Sequence, residues 1–279
     1  MAWKNQEIKD DMHIGRKNIQ WFAVGDDDTV WFVNNLLDTL QQYNSSNLMY
    51  IGDISDKKSQ VIRHGDYYAY GGGGILLSRP LAILFAQHTQ DCKRFLHLYG
   101  GDEMIGKCIT EVLQVKLTRN KNFHQMDSSG DLTGYFESGI DGLVSLHHMF
   151  SLWKPFPDEH INTINETMDL LQFAYITFDG NFLKRFVRVN YKTNQTLLLT
   201  LGYSFSLFNR ILTRADLTLV EDTGFGTEMA TRKTRSKENN KTTWYFRRLT
   251  IDNSDGAIGY GIFYENKKEI CGSFLKIQV

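Results

Sequence analysis

The segment Gln20-Trp21-Phe22-Ala23-Val24-Gly25 carries no charge and runs directly into Asp26-Asp27-Asp28. A short continuous apolar run suits a strand buried on both faces, in a parallel or mixed sheet under helices. Three adjacent carboxylates repel one another and cost stability unless a cation compensates. In an open α/β sheet, ligands sit beyond the carboxyl ends of strands, which is where these acids fall. In an extended segment Asp26 and Asp28 point one way and Asp27 the other. Oxygen donors suit Mg²⁺ or Mn²⁺ rather than zinc. The plain alternative is a solvated acidic turn, with Asp28 or Thr29 capping the next helix. An EF-hand is excluded, because no Gly or distal Glu has the required spacing.

Beyond the aspartates, Val33, Leu36, Leu37, Leu40 and Tyr43 recur at helical spacing and predict an amphipathic helix over 30–43. Leu48 to Gly52 reads as a second short strand. Four glycines, Gly71 to Gly74, lead into Ile75-Leu76-Leu77-Ser78, and Arg79-Pro80 opens a helix to about His88. A further helix is expected over 102–112 and a strand from Leu117 towards His124. The character changes near Pro155. Residues 155–175 read as helical, and 174–279 as short antiparallel strands, with 221–242 as a mobile loop. The expected division is residues 1–154, an α/β body, and 155–279, a β-rich extension.

With 279 residues and 42% hydrophobic content, the chain can bury one sizeable core and a second layer. A formal net charge of −1 gives no long-range field for nucleic acid or an anionic membrane. The 13% aromatic content suits a thick core first and sugar stacking second. No apolar stretch approaches the roughly 18 to 20 residues of a membrane span, and no signal sequence follows Met1. Cys92 and Cys108 are spaced for a loop-closing disulfide or for two reduced thiols. The absence of a CxxC pair argues against structural zinc. Sequons at Asn44, Asn165, Asn194 and Asn240 lean weakly towards the secretory pathway.

Other residues could carry chemistry. The glycine run lets backbone approach a ligand closely, or is simply a flexible turn. It has neither a Walker lysine nor dinucleotide spacing. Asp102 and Glu103 open a helix, where acids favour the dipole, but either could serve as a general base. His124 at a strand end, and the pair His147-His148, are candidate metal ligands or core histidines.

Together these pieces resemble the Fringe-type branch of the beta-1,3-glycosyltransferases, above all its plant relatives long grouped as a domain of unknown function. The resemblance rests on Trp21 to Thr29, Tyr50-Ile51-Gly52, Tyr68 to Gly74, Tyr99-Gly100-Gly101-Asp102-Glu103 and Phe123-His124-Gln125, in the family's order across roughly residues 18–150. It implies a GT-A-like mixed sheet flanked by helices, a UDP-sugar donor, Mn²⁺ and inversion at the anomeric carbon. Carried over by position, Asp28 is the principal metal aspartate with Asp26 a further metal ligand, and Asp26 and Asp27 lie near the ribose and diphosphate. His124 completes the metal site. Asp102 is the base, with Glu103 the alternate, and Gly71, Gly72, Gly73 and Gly74 line the sugar pocket. Residence in the Golgi through a single membrane anchor is also implied. The family places a βαβ unit and that anchor ahead of the triple aspartate. Only 25 residues precede Asp26, so an N-terminally truncated member is expected.

Two other functions compete with a metal-dependent UDP-sugar transferase acting on a glycan or glycoconjugate hydroxyl. One is an inactive remnant that binds a glycan or nucleotide at most. The other is a phosphate-ester hydrolase using the aspartates on Mg²⁺.

Overall fold

A computed structural model describes residues 19–157, 163–226, 229–252, 258–265, 268–270 and 277–278, with side chains up to residue 247. The chain is mixed α/β and divides into two compact bodies. The first holds the residues up to Asp127 together with Leu143–His148; the second holds Ser128–Gly142 and the residues from Met149 on.

In the first body the elements are β1 (Trp21–Val24), β2 (Val30–Trp31), α1 (Val33–Gln41), β3 (Tyr50–Gly52), α2 (Lys58–His64), β4 (Ile75–Ser78), α3 (Arg79–Gln87), α4 (Gly101–Lys107), β5 (Leu117–Arg119), β6 (Phe123–His124) and β7 (Ser145–Leu146). One sheet has the order β1-β4-β3-β5, with only the β3–β5 pair parallel. Successive residues point to opposite faces. Tyr50, Ile75 and Leu77 therefore meet Leu81 and Ile109 on one side, while Ile51 and Leu76 meet Phe123, Leu36, Leu40 and Tyr43 on the other. Burial on both faces explains why β3 and β4 read as unbroken apolar runs.

The strand ahead of the aspartates differs from expectation. Among the described residues β1 is an edge strand, antiparallel to β4, and Val24 is 44% exposed. Its tail is therefore open to solvent, because only one side of the strand has a partner. Nor does Asp28 or Thr29 cap α1, whose N-cap is Phe32 without a side-chain bond. Thr29 is used otherwise: its Oγ1 accepts from the Asp26 amide at 2.8 Å and donates to the Gly72 carbonyl at 3.0 Å. The expected helix over 102–112 is present, but its last turn is widened, with the Leu113 amide reaching back to the Cys108 carbonyl. Cys92 and Cys108 form a disulfide with Cα atoms 5.1 Å apart. A closed loop of this length contributes about 3 kcal/mol by limiting the unfolded chain.

The second body contains α5 (Thr133–Glu137), α6 (Ile164–Phe178), β8 (Arg185–Asn190), β9 (Gln195–Thr200), β10 (Ser204–Phe208), α7 (Arg214–Thr218), β11 (Val220–Glu221), β12 (Thr234–Arg235), β13 (Lys241–Asp252), β14 (Ile258–Glu265), β15 (Lys268–Ile270) and β16 (Ile277–Gln278). An antiparallel sheet runs β15-β14-β13-β10-β9-β8, with β16 added on β14. The helix expected from 155 starts at Ile164; residues 158–162 lie outside the described residues. Thr163 sets that start through a reciprocal cap with Glu166. Leu170, Leu171 and Ala174 are buried, and Phe173 stacks on Phe246 of β13.

The segment 221–242 is read from sequence as a mobile loop; its described residues, 221–226 and 229–242, are instead tied down at several points. Strands β11 and β12 pair, and buried Glu221 takes Arg235 at 2.7 Å and the Glu238 amide at 2.9 Å. Buried Glu137 takes Lys241 at 2.8 Å and the hydroxyls of Ser206 and Thr243, and Lys241 also reaches Glu221 at 3.2 Å. Burial pushes the Lys241 ammonium down, but Glu137 and Glu221 outweigh it and the net shift is upwards.

Candidate metal centre

Three strands carry the chemically active side chains to one place. In a second sheet of the first body, β7 lies between β2 and β6. Strand β2 is antiparallel to β7, with Val30 opposite Leu146, so residues just before Val30 meet residues just after Leu146. That pairing brings Asp26 and Asp28 to His147 and His148. Strand β6 is parallel to β7, with His124 opposite Leu146, so Gln125 to Asp127 emerge on the same side.

The aspartates converge through a turn rather than an extended chain, since the Thr29 amide bonds the Asp26 carbonyl at 3.1 Å. His147 Nε2 lies 2.8 Å from Asp28 Oδ1 and 3.4 Å from Asp26 Oδ2. His148 Nδ1 lies 3.7 Å from Asp28 Oδ2, and the two rings are tilted at 36° with centroids 3.7 Å apart. Donor atoms of Asp28, His147 and His148 all fall within 4.8 Å of one another. Asp27 is exposed and outside this group.

His147 Nδ1 is 3.1 Å from the Gln125 carbonyl, which can only accept, so Nδ1 carries the hydrogen. A neutral ring then turns an Nε2 lone pair towards the Asp28 carboxylate. Two lone pairs at 2.8 Å need a proton or a metal ion between them. A carbonyl on the far nitrogen is the usual support of a metal-binding imidazole. One carboxylate and two imidazoles are donors that a divalent transition ion accepts, and the neighbouring carboxylate of Asp26 adds oxygen of the kind Mn²⁺ favours.

The expected ligand His124 does not join this group. It is buried, with Nδ1 3.1 Å from Asp56 Oδ1, and Asp56 also accepts from the Met126 amide. The parallel register accounts for this: His124 is still inside β6, level with Leu146, and only residues past that level reach Asp28. His147 and His148 occupy the place instead.

The glycine run has a clear steric basis. A Cβ on Gly72 would lie 2.2 Å from His147 ring atoms, and one on Gly74 would lie 2.3 Å from Trp31. Gly74 also has φ +99°, a region side chains avoid. The Gly73 amide donates to Gln125 Oε1 at 2.8 Å. Gly72 to Gly74 are buried, with Gly72 against the His147 ring, Gly73 against the Gln125 backbone and Gly74 against Trp31. Gly71 is half-buried and touches both acidic groups: its Cβ position is 3.5 Å from Asp26 Oδ1 and 3.6 Å from Asp102 Oδ2.

Asp102 accepts the Gly71 amide at 2.9 Å and the Glu103 amide at 2.8 Å. Burial raises its carboxyl above the ordinary range; those amides oppose the rise and the Asp26 charge adds to it. Glu103 is engaged by the Tyr67 hydroxyl at 2.7 Å. Of the two acids, Asp102 is the one beside Asp26.

Sequence reasoning overlooked Asp127, Ser55 and Asp56. Asp127 Oδ1 is 3.4 Å from His148 Nε2, and Asp127 also accepts from Ser55 and Gln125. Burial favours its neutral form, but the bonds from His148, Ser55 and Gln125 prevail and hold its carboxyl below the usual range. The available signal was position, because these residues follow the ends of β3 and β6.

Residues 60–269 match the family described as Protein of unknown function, DUF604. The chain belongs to this family. The matched stretch contains Asp102, His147 and His148 and starts after the aspartate triplet. The chain is also similar to chondroitin sulfate synthase 3 of Homo sapiens, at 26% identity over 95 residues, which is 32% of this chain and 11% of that protein. It is similar to beta-1,3-glucosyltransferase of Mus musculus, at 29% over 108 residues, 38% of this chain and 21% of that protein. The chain thus spans between about a tenth and a fifth of the length of these relatives.

Proposed function

We propose that this DUF604 member is a Fringe-like, GT-A-type glycosyltransferase. It moves a hexose or N-acetylhexosamine from a UDP-sugar to a hydroxyl of a glycan or glycoconjugate, with inversion and in the presence of Mn²⁺. The carrying observation is the Asp28–His147–His148 donor set beside an acid, Asp102, whose proton affinity is raised. The names of the similar proteins, a synthase and a glucosyltransferase, support the reaction class.

Asp28, His147 and His148 would hold the metal, which when bound neutralises charge on the departing diphosphate. Asp26 and Asp27 would face the ribose and diphosphate. Asp102 takes the proton from the acceptor hydroxyl as that oxygen attacks the anomeric carbon. Its raised proton affinity improves the driving force for that transfer. The amides of Gly71 and Glu103 fix both Asp102 oxygens, so the base is held in one orientation. Gly72 packs directly against the His147 ring and leaves it little room to turn.

A Golgi or other secretory setting follows from the same reading. Among the described residues no helix is long and apolar enough to cross a membrane. The test is thermal: Mn²⁺ with UDP at millimolar concentration raises Tm, and Asp28→Ala abolishes the rise. UDP release from a panel of UDP-sugars then identifies the donor. An intact protein whose Tm ignores Mn²⁺ and UDP sinks the proposal.

A further inference from the structure

We infer that Arg185, Arg232 and Arg235 of the second body form a site for a singly charged oxyanion, the carboxylate or sulfate group of a ligand. The site lies wholly within that body and does not depend on the Asp28 donor set.

The fold gathers the three arginines around one opening. Arg185 starts β8 and Arg235 ends β12, and both line a pocket that α5, α7 and β11 also border. It offers about 240 Å³ of space, part of it open to solvent, and Leu198, Leu217 and Leu219 give it an apolar lining. Arg232 comes to the same rim. Its Nη1 donates to the hydroxyl of Ser138, a pocket residue, and lies 3.5 Å from the Gly139 carbonyl. Arg185 packs on that turn as well, since a Cβ on Gly139 would lie 3.0 Å from the Arg185 Cβ.

The acids of the pocket are matched. Glu137 has Lys241, Glu221 has Arg235 and Lys241, and Asp216 has Arg210 at 3.0 Å. The cations are not used to the same extent. Arg185 Nη2 donates to the Leu217 carbonyl at 2.9 Å, and among the described residues no carboxylate lies within ion-pair distance of Arg185. Asp141 acts on it only through its field. Arg235 gives Nη2 to Glu221, while its buried Nε–H has no acceptor among the described residues. Burial first, then the fields of Arg232 and Arg235, press the Arg185 guanidinium below its usual proton affinity. An anion among the three groups relieves that repulsion and takes up the idle donors.

The same surroundings define the ligand. A guanidinium presents a planar fork that pairs with two oxygens of a carboxylate or sulfate at once. One negative charge is balanced by the arginines. A second would face Glu137, Asp216 and Glu221 with no further cation to offset it.

The full chain is titrated by calorimetry with four ligands that share one ring: glucuronate, glucose 6-sulfate, glucose 6-phosphate and glucose. Low salt and about pH 8 keep screening weak and the phosphate doubly charged. No metal or nucleotide is added, so the outcome is independent of the metal reading. Glucuronate, the sulfate or both are expected to bind at least about tenfold more tightly than glucose, and the better of the two names the group. Arg185→Gln is expected to weaken that binding by about 10- to 100-fold with a near wild-type urea midpoint, which separates this site from any sugar pocket beside Asp102. Arg185→Lys, which keeps the charge and loses the fork, should recover only part of it. Arg232→Gln gives a second reading should Arg185→Gln lower the midpoint. The inference falls if neither monoanion binds better than glucose, if the phosphate binds tightest, or if both glutamine variants bind as wild type does.

Discussion

Two clusters of acids and bases, one in each body, behave in opposite ways. In the second body Glu137 and Glu221 are 3% exposed and fully engaged by Lys241, Arg235 and neighbouring hydroxyls and amides. In the first, Asp26 is 54% exposed and Asp28 38%, and they confront two histidines whose far nitrogens are already occupied. The closed cluster balances its own charge, two carboxylates against Lys241 and Arg235. The open one leaves carboxylates facing ring nitrogens, with a proton or a metal ion between them. Buried and paired charge therefore reads as architecture, and half-exposed, under-balanced charge reads as a site.

The largest effect should come from breaking the closed cluster. Lys241→Met leaves two buried carboxylates short of a cation and should cost about 3–5 kcal/mol, read by urea unfolding. An unchanged midpoint would show that the second body does not depend on this pairing. Next is Gly72→Ala, whose new methyl meets the His147 ring. It should cost about 1–3 kcal/mol by overpacking, and Mn²⁺ affinity should fall with it, measured by calorimetry. A metal affinity equal to wild type would mean that the ring has slack.

Asp102 gives a pH-dependent effect. Burial first, and the Asp26 charge with it, raise its carboxyl, so the base is protonated at a pH where an ordinary Asp is ionised. Transfer should therefore rise with pH through a point above the normal Asp range. That limb is read from kcat/KM across pH. Asp102→Asn should remove turnover while leaving the metal-induced Tm shift in place. The smallest change is expected at exposed Asp27, where Asp27→Asn should alter stability by no more than about 0.5 kcal/mol and leave Mn²⁺ affinity unaltered. A loss of metal there would redraw the site around a different aspartate.

Much of the first body was legible in local pattern. The spacing of Leu36, Leu40 and Tyr43 marks the buried face of α1, and Arg79-Pro80 marks the start of α3. The apolar run before the aspartates misled in one respect. Trp21 and Phe22 look like a doubly covered strand, yet an edge position leaves Ala23 and Val24 exposed. Strand periodicity reports apolar content, and only pairing decides whether a strand has one neighbour or two. The Gly- and Lys-rich stretch from 221 misled for a related reason, because Glu221 and Arg235 lie fourteen residues apart and meet only in the folded body.

By itself the sequence determined that three carboxylates would crowd at a strand end, that four glycines would allow close backbone approach, and that an acid pair would open α4. Each follows from neighbours along the chain. Only tertiary structure decided which histidines join Asp28. An antiparallel pair links residue 30 to residue 146, and a parallel pair places 124 one level too deep, so His147 and His148 reach the carboxylate while His124 turns to Asp56. Strand register acts across more than a hundred residues and leaves no periodic mark in the sequence.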